Sequence, residues 1–196
     1  MPWPEHHKAQ TRERIVEAAS AAFREAGISK VSVPDLMRRA GLTHGGFYAH
    51  FNSKDELLVE ALPHAMSDST ANLDRVESAP ARDLLAVANA YLSPQHVSHP
   101  EMGCPIAALG PELTRSAPTV RQSLAREIRK RLDQLLALIP RRMTAERKRQ
   151  QAAGALACMV GGIVLARGMK QSEKPAFLAD CRAFLAEALN ETNAHT

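Results

Sequence analysis

Between residues 10 and 26, apolar side chains fall at Ile15, Ala18, Ala19, Ala22 and Phe23. That three- and four-residue spacing marks one face of a helix. Gly27 follows, a residue suited to the left-handed turn that ends many helices. In the next run, ISKVSVPDLMRRAGL, Ser32 can cap a second helix. Pro34 fits its first turn, and Asp35 complements the positive helix end. Leu36, Met37 and Ala40 supply its apolar side, and Gly41 stops it. Leu42 is predicted buried, and Thr43 can cap a third helix reaching about His50. The run NSKDELLVEAL opens a fourth, with Ser53 and Glu56 at capping-box spacing. Two short helices about a tight glycine turn form the helix-turn-helix pattern.

Beyond Leu62 the pattern stays helical. Pro63 lies inside the fourth helix, where it removes a backbone donor and crowds the carbonyl four residues back, so a kink is expected. The helix continues to about Val76. Further helices are predicted at about 81–93, 105–113, 118–138, 144–169 and 175–190. Pro80, Pro94, Pro100, Pro118, Pro140 and Pro175 punctuate them. Almost nothing alternates with period two, so strands are not expected. The chain is predicted all-α, with an N-terminal three-helix helix-turn-helix domain over residues 1–62. A C-terminal helical bundle over 63–196 brings the total to about nine helices.

Composition narrows the picture. The chain has 196 residues, 45% hydrophobic and 23% charged, and only 4% aromatic. A packed core built mostly from Ala, Leu, Val, Ile and Met follows. The pI of about 9.2 and formal charge of +4 permit a nucleic-acid partner without identifying one. Cys104, Cys158 and Cys181 are odd in number and form no CxxC pair, which argues against a disulfide framework. The polar start MPWPEHHKAQ lacks a signal core. The longest apolar run, Ala152–Ala166, falls short of the roughly 20 residues that span a bilayer. A cytoplasmic location without a membrane partner is expected. No activated nucleophile, P-loop or dinucleotide fingerprint is present, so neither an enzyme nor a cofactor is expected. His96, His99, Glu101 and Cys104 are metal-binding types, but HVSHPEMGC reads as a loop and no metal site is expected.

One stretch breaks a local rule. In GLTHGGFYAHF, Gly45 and Gly46 stand together at the start of a helix, each costing roughly 1 kcal/mol relative to alanine. With Phe47 and Phe51 turned inward, the outer side holds Thr43, His44, Gly45, Gly46, Tyr48, Ala49 and His50. A helix stripped of side chains can lie very close to a partner, and the DNA major groove, about 12 Å wide, accepts one. Thr43 and His44 can bond base edges or phosphates; Tyr48, His50 and Lys54 can hold flanking phosphates. A lysine at a helix start is slightly unfavourable with the helix dipole, and a bound anion would reverse that. The alternative is that the two glycines merely allow close packing between helices.

These residues carry a resemblance. TRERIVEAASAAFREAG, VSVPDLMRRAGLTHGGFYAHF and NSKDELL, with their GxFYxHFxSKxxL core, resemble the N-terminal domain of the TetR/AcrR family of bacterial transcriptional regulators. The close likeness covers about a quarter of the chain; the rest is similar to the family's ligand-binding and dimerisation domain in pattern only. The resemblance implies a homodimer on a palindromic double-stranded DNA operator, usually a repressor released by a small-molecule effector. It places Thr43, His44 and Gly46 where family members read bases, and Tyr48, His50 and Lys54 where they grip the backbone. Gly46 departs from the commoner small hydroxyl or alanine, so readout there must come from backbone, shape or neighbours. Ser32 and Gly45 complete the candidate DNA contacts. Arg38 and Arg39 are further phosphate candidates or solvated charges. Lys8, Arg12 and Arg14 form either a basic N-terminal arm or ordinary surface charge.

In the C-terminal part, Gly154, Cys158, Gly161, Gly162 and Leu165 fall near one side of helix 144–169, where small residues allow a close helix crossing. Helix 175–190 offers Phe177, Leu178, Cys181, Phe184, Leu185 and Ala188. Both are too apolar to stay exposed on a monomer, so a dimer interface is expected, with burial inside one subunit as the alternative. The resemblance implies a four-helix bundle with a second subunit. An effector pocket is expected among helices 81–93, 105–113, 118–138 and 144–169. Its candidate walls are Met102, Cys104, Leu109, Leu124, Ile128, Met159 and Ile163, mostly aliphatic and with few buried charges. Cys104 is either a reactive thiol at a helix start or a small buried residue. Pro63 is the candidate hinge. The competing functions are an enzyme with an appended helical domain, for which no catalytic constellation can be named, a helical protein–protein adaptor, and a thiol-based sensor regulator using Cys104.

Overall fold

The computed structural model describes residues 5–76, 83–140 and 143–194. Nine α-helices and two 3-10 segments, and no strand, occur among the described residues. The α-helices are α1 (Glu5–Ala26), α2 (Val33–Arg39), α3 (Lys54–Val76), α4 (Leu84–Tyr91), α5 (Pro94–Ser98), α6 (Pro105–Leu113), α7 (Pro118–Ala137), α8 (Ala145–Gly168) and α9 (Lys174–Ala194). The 3-10 segments are His44–Ala49 and Pro100–Met102. The all-α expectation holds, with two differences. The third predicted helix is a 3-10 segment, and the stretch taken for a loop at 94–102 is a short helix plus a 3-10 turn. The predicted helix start at 81 lies outside the described residues.

The chain divides into two compact units, residues 1–69 with 100–127, and residues 70–99 with 128–196. This division differs from the sequence boundary after Leu62, because the segment from Pro100 packs onto the N-terminal helices. In the first unit, Ile15, Ala19 and Phe23 of α1 form a core with Leu36, Met37, Phe47, Phe51, Leu57, Leu58 and Leu62. Leu109 and Leu113 of α6 and Val120 and Leu124 of α7 extend it.

Arg24 sits inside this unit with a side chain only 1% exposed. Its guanidinium donates to the Ser20 carbonyl at 3.0 Å, the Gly103 carbonyl at 2.9 Å, the Ala65 carbonyl at 3.4 Å, the Ser20 hydroxyl at 3.0 Å and Asp68 at 2.7 Å. A buried cation is tolerated only when paired and hydrogen-bonded, and five donors meet that demand here. α6 is fastened to the first turn by Glu112, whose carboxylate accepts from the Ser29 amide at 3.1 Å. Gly27, at φ 91°, leaves room for it; a Cβ there would stand 2.8 Å from Glu112 Oε1.

The second unit packs α8 and α9 against each other and against α4 and α5. Leu92, Leu135, Met159, Ile163, Ala166, Leu178 and Leu185 are buried in it. Arginines satisfy helix-end carbonyls: Arg167 donates to His96 at 3.0 Å, and Arg182 to Leu92 at 2.6 Å. Gly162 marks the tightest crossing, where an added Cβ would stand 2.7 Å from Leu92 Cδ2. α8 is the one helix, among the described residues, long and apolar enough to cross a membrane, and 39% of its apolar window is buried within the fold. Burial of Glu127 and Arg131 on α7 corrects the expectation of few buried charges.

Candidate nucleic-acid interface

The site is built outward from α2. Ser32 caps this helix as expected, its hydroxyl accepting from the Asp35 amide at 3.3 Å. At the other end Gly41 adopts φ 67°. The Gly41 amide donates to Arg38 at 3.0 Å and the Leu42 amide to Met37 at 2.8 Å. These are the paired bonds of a Schellman turn, which reverses the chain within two residues. Leu42 is half-buried rather than buried.

The turn delivers Thr43 to a 3-10 segment, not an α-helix. The Gly46 amide bonds to Thr43 at 3.1 Å and the His50 amide to Phe47 at 2.9 Å, both three-residue links. Two adjacent glycines weaken the α alternative, so the tighter coil prevails over these six residues. Thr43 occupies the cap position, but its side chain makes no capping bond. Phe47 is fully buried and lies 5.7 Å, centroid to centroid, from Phe51. Opposite them, Thr43, His44, Gly45, Tyr48 and Ala49 are exposed and Gly46 is half-buried. Tyr48 stands 64% exposed, held edge-on by Phe47 at 5.3 Å and His44 at 6.5 Å.

The glycine question has a geometric answer. A Cβ at Gly45 would meet nothing within 4 Å, and one at Gly46 would make ordinary contact with Met37 Cε at 3.5 Å. Neither residue has a positive φ. Internal packing therefore requires glycine at neither position.

The other predicted contacts divide. Lys54 turns inward: its ammonium donates to the carbonyls of Ile28 and of Val31, the latter at 2.6 Å, and lies 5.5 Å above the Phe23 ring. Burial lowers its pKa. Two of its three donors thus hold the turn between α1 and α2. His50 is half-buried, and burial, with Lys8 and Arg12 nearby, pushes its imidazole below the usual histidine range. Its Nδ1 is buried without a hydrogen-bond partner among the described residues. A neutral imidazole is the form such a place favours.

Arg12 and Arg14 form no free arm. Arg12 bonds Glu60 and the His50 carbonyl, reaches Glu56 at 3.2 Å, and stacks 4.0 Å over the Phe51 ring. Its carboxylate partners, Glu60 foremost, raise its pKa. Arg14 donates to the Ala40 carbonyl at 2.7 Å. Arg12 joins α1 to both ends of the Phe51–Glu60 stretch, a positioning role that sequence spacing does not reveal. Arg38 and Arg39 are exposed and pair with Asp35 at 2.5 Å and Glu25 at 2.6 Å. At the start of α3 the Ser53 hydroxyl accepts from the Glu56 amide at 3.1 Å. The Glu56 carboxylate reaches the Asn52 amide rather than that of Ser53, at 2.8 Å.

The expected effector walls are split between the two units. Met102, Cys104, Leu109 and Leu124 lie in the first, and Ile128, Met159 and Ile163 in the second. Met102 is 41% exposed and Ile128 half-buried; the others are buried. Cys104, 2% exposed, opens α6 without a side-chain cap, an arrangement that fits the small buried residue better than the reactive thiol. A cavity in the first unit, about 10 Å³ or room for roughly one water, is lined by Phe23, Leu62, Ala65, Pro105, Leu109 and Leu113 among others. Leu109 alone of the expected walls borders it. His96 is helical and buried, donating through Nδ1 to the Tyr91 carbonyl at 2.8 Å. No cluster able to hold a metal ion occurs among the described residues.

Of the expected dimer residues, Gly154, Leu165 and Phe184 are exposed; Cys158, Gly161, Phe177 and Cys181 are half-buried. Gly162 and Leu185 are buried within the chain and are corrected to core positions. Added Cβ atoms at Gly154 and Gly161 would meet nothing within 4 Å.

Residues 15–61 match the family model for bacterial regulatory proteins of the tetR family. The chain is 39% identical over 66 residues to the HTH-type transcriptional regulator TtgR of Pseudomonas putida, covering 34% of this chain and 31% of that protein. The match thus spans about a third of the relative's length. Over nearly the whole chain the fold is similar to a TetR transcriptional regulator from Chloroflexus aurantiacus. That likeness has a TM-score of 0.73 and 25% identity, covering 94% of this chain and 96% of that one. A TetR-family regulator from Cytophaga hutchinsonii gives a TM-score of 0.74 at 18% identity, covering 92% and 95%. Residues 15–61 thus carry the N-terminal signature of the tetR family of bacterial regulatory proteins, and the chain as a whole has a fold similar to that of TetR-family regulators.

Proposed function

We propose that this chain is a DNA-binding transcriptional regulator. It binds a palindromic double-stranded operator as a homodimer and represses until a small-molecule effector releases it. One observation carries the reading: Gly45 and Gly46 lower helix stability, yet nothing inside the molecule needs either. The benefit must come from a partner outside, and a bare backbone beside exposed Thr43, His44 and Tyr48 suits the floor and walls of a major groove. Thr43 and His44 contact base edges, the Gly46 backbone approaches them, and Tyr48 bonds a phosphate. His50 and Lys54 hold this surface in place, Lys54 with one ammonium donor left for a phosphate.

The dimer has parallel support. Exposed Leu165 on α8 and Phe184 on α9, with nothing within 4 Å of a Cβ at Gly154 or Gly161, leave apolar surface on both helices. A second copy covering that surface presents two recognition segments to two half-sites. The effector acts through the C-terminal helices and the proline at position 63 of α3, by differential affinity for two arrangements. A regulator of DNA works in the cytoplasm and needs no catalytic residue.

Selection of preferred duplexes from a random pool by purified protein tests this. An enriched palindrome, bound with an affinity that falls steeply as salt rises, is expected. Enrichment of nothing, with a protein captured through the α8–α9 face, would favour the adaptor.

A further inference from the structure

Two thiols meet in the seam between α8 and α9. The side chains of Cys158 of α8 and Cys181 of α9 are neighbours. Cys158 Sγ also lies 4.0 Å from the Cys181 carbonyl oxygen. The helices come this close because Gly162, one turn beyond Cys158, has no side chain; a Cβ there would lie 3.5 Å from Cys181 Sγ. Neither cysteine is in a disulfide, and both are half-buried. Disulfides need two Cβ atoms within about 4.5 Å and tolerate little misplacement.

We propose that Cys158 and Cys181 form a redox-closable pair, a modification site at which a low-molecular-weight disulfide links α8 to α9. One cysteine loses its proton to solvent and attacks the small disulfide RSSR. The S–S bond breaks, a mixed disulfide forms, and RS⁻ leaves and takes up a proton. The second cysteine, likewise deprotonated, attacks the protein sulfur of that mixed disulfide and expels the second RS⁻. In sum, two protein thiols are oxidised to one disulfide and RSSR is reduced to two RSH. Burial raises the pKa of both thiols, so neither is a strong nucleophile alone. The advantage of the pair is the proximity of the second thiol once the first has reacted. The bond would fix the two helices that carry the proposed dimer face. The site stands apart from the regulatory reading, since its chemistry does not involve DNA.

The test uses the full chain and glutathione disulfide. After reaction, remaining thiols are blocked with N-ethylmaleimide and the chain is mapped by mass spectrometry without reduction. The expected product is an intrachain peptide pair joining Cys158 to Cys181, lighter by two hydrogens, with monomer mobility in a non-reducing denaturing gel. Cys158→Ser and Cys181→Ser should each reduce it at least tenfold, and Cys104→Ser should leave it unchanged. A glutathione adduct that persists on one cysteine, a disulfide between two chains, closure through Cys104, or thiols that stay unreacted would each overturn the proposal. The map of the unmodified sequence decides even if a variant fails to fold.

Discussion

At Gly45 the side where a Cβ would stand is open, so stability and binding can be separated by a single methyl group. Gly45→Ala should stabilise the protein by about 0.5–1 kcal/mol in urea unfolding, because alanine loses less backbone entropy. The same change should weaken binding to a selected operator duplex about tenfold, roughly 1.4 kcal/mol, by holding the backbone off the bases. Unchanged affinity would show that the glycine is not there for close approach. Lys54 teaches the opposite lesson. Its position at a helix start suggests an anion outside, yet its ammonium is bound to two carbonyls of the α1–α2 turn. A side chain long enough to reach either way cannot be assigned a direction from spacing alone.

Among elements, α3 runs through Pro63, which cannot donate to the Val59 carbonyl one turn back. Ser123 of α7, buried in the first unit, donates its hydroxyl to that carbonyl at 3.3 Å. Ser123→Ala should therefore cost on the order of 1 kcal/mol. In a Pro63→Ala background the restored amide serves Val59 instead, and the serine truncation should cost at least about 0.5 kcal/mol less. Strictly additive costs in urea titrations of the four proteins would separate the hydroxyl from the proline gap. The helices themselves were largely legible, because each boundary carries its own chemistry: Gly27 and Gly41 at positive φ, Ser32 and Ser53 as caps, Pro105 and Pro118 at first turns. The 3-10 form of His44–Ala49 was not, since the 3-10 and α patterns diverge little over six residues. α5 and the Pro100–Met102 turn hid among prolines that normally mark loops. Arg12 and Arg24 were invisible for another reason: their carboxylate partners lie forty or more residues away. Of the site, the outward set around Gly45 was readable from composition, while the inward set was not.

For the whole molecule, the exposed face of α8 and α9 makes a prediction about assembly. Phe184→Glu, at a position 62% exposed, should leave the thermal midpoint of the isolated chain nearly unchanged. It should halve the mass in sedimentation and abolish tight binding to a two-half-site operator, while a single half-site is still bound weakly. A dimer that survives the charge would move the interface elsewhere. The first compact unit sets a further condition through Arg24. A peptide ending at Leu62 keeps this cation but lacks Asp68, Ala65 and Gly103, which supply its carboxylate and two of its carbonyls. Such a fragment should show the broad, non-cooperative melting of a loosened core. The first unit is accordingly not a cassette that ends where the matched segment ends. A fragment that keeps the first unit intact should therefore carry residues 100–127 as well as 1–69, or a substitute counter-charge for Arg24.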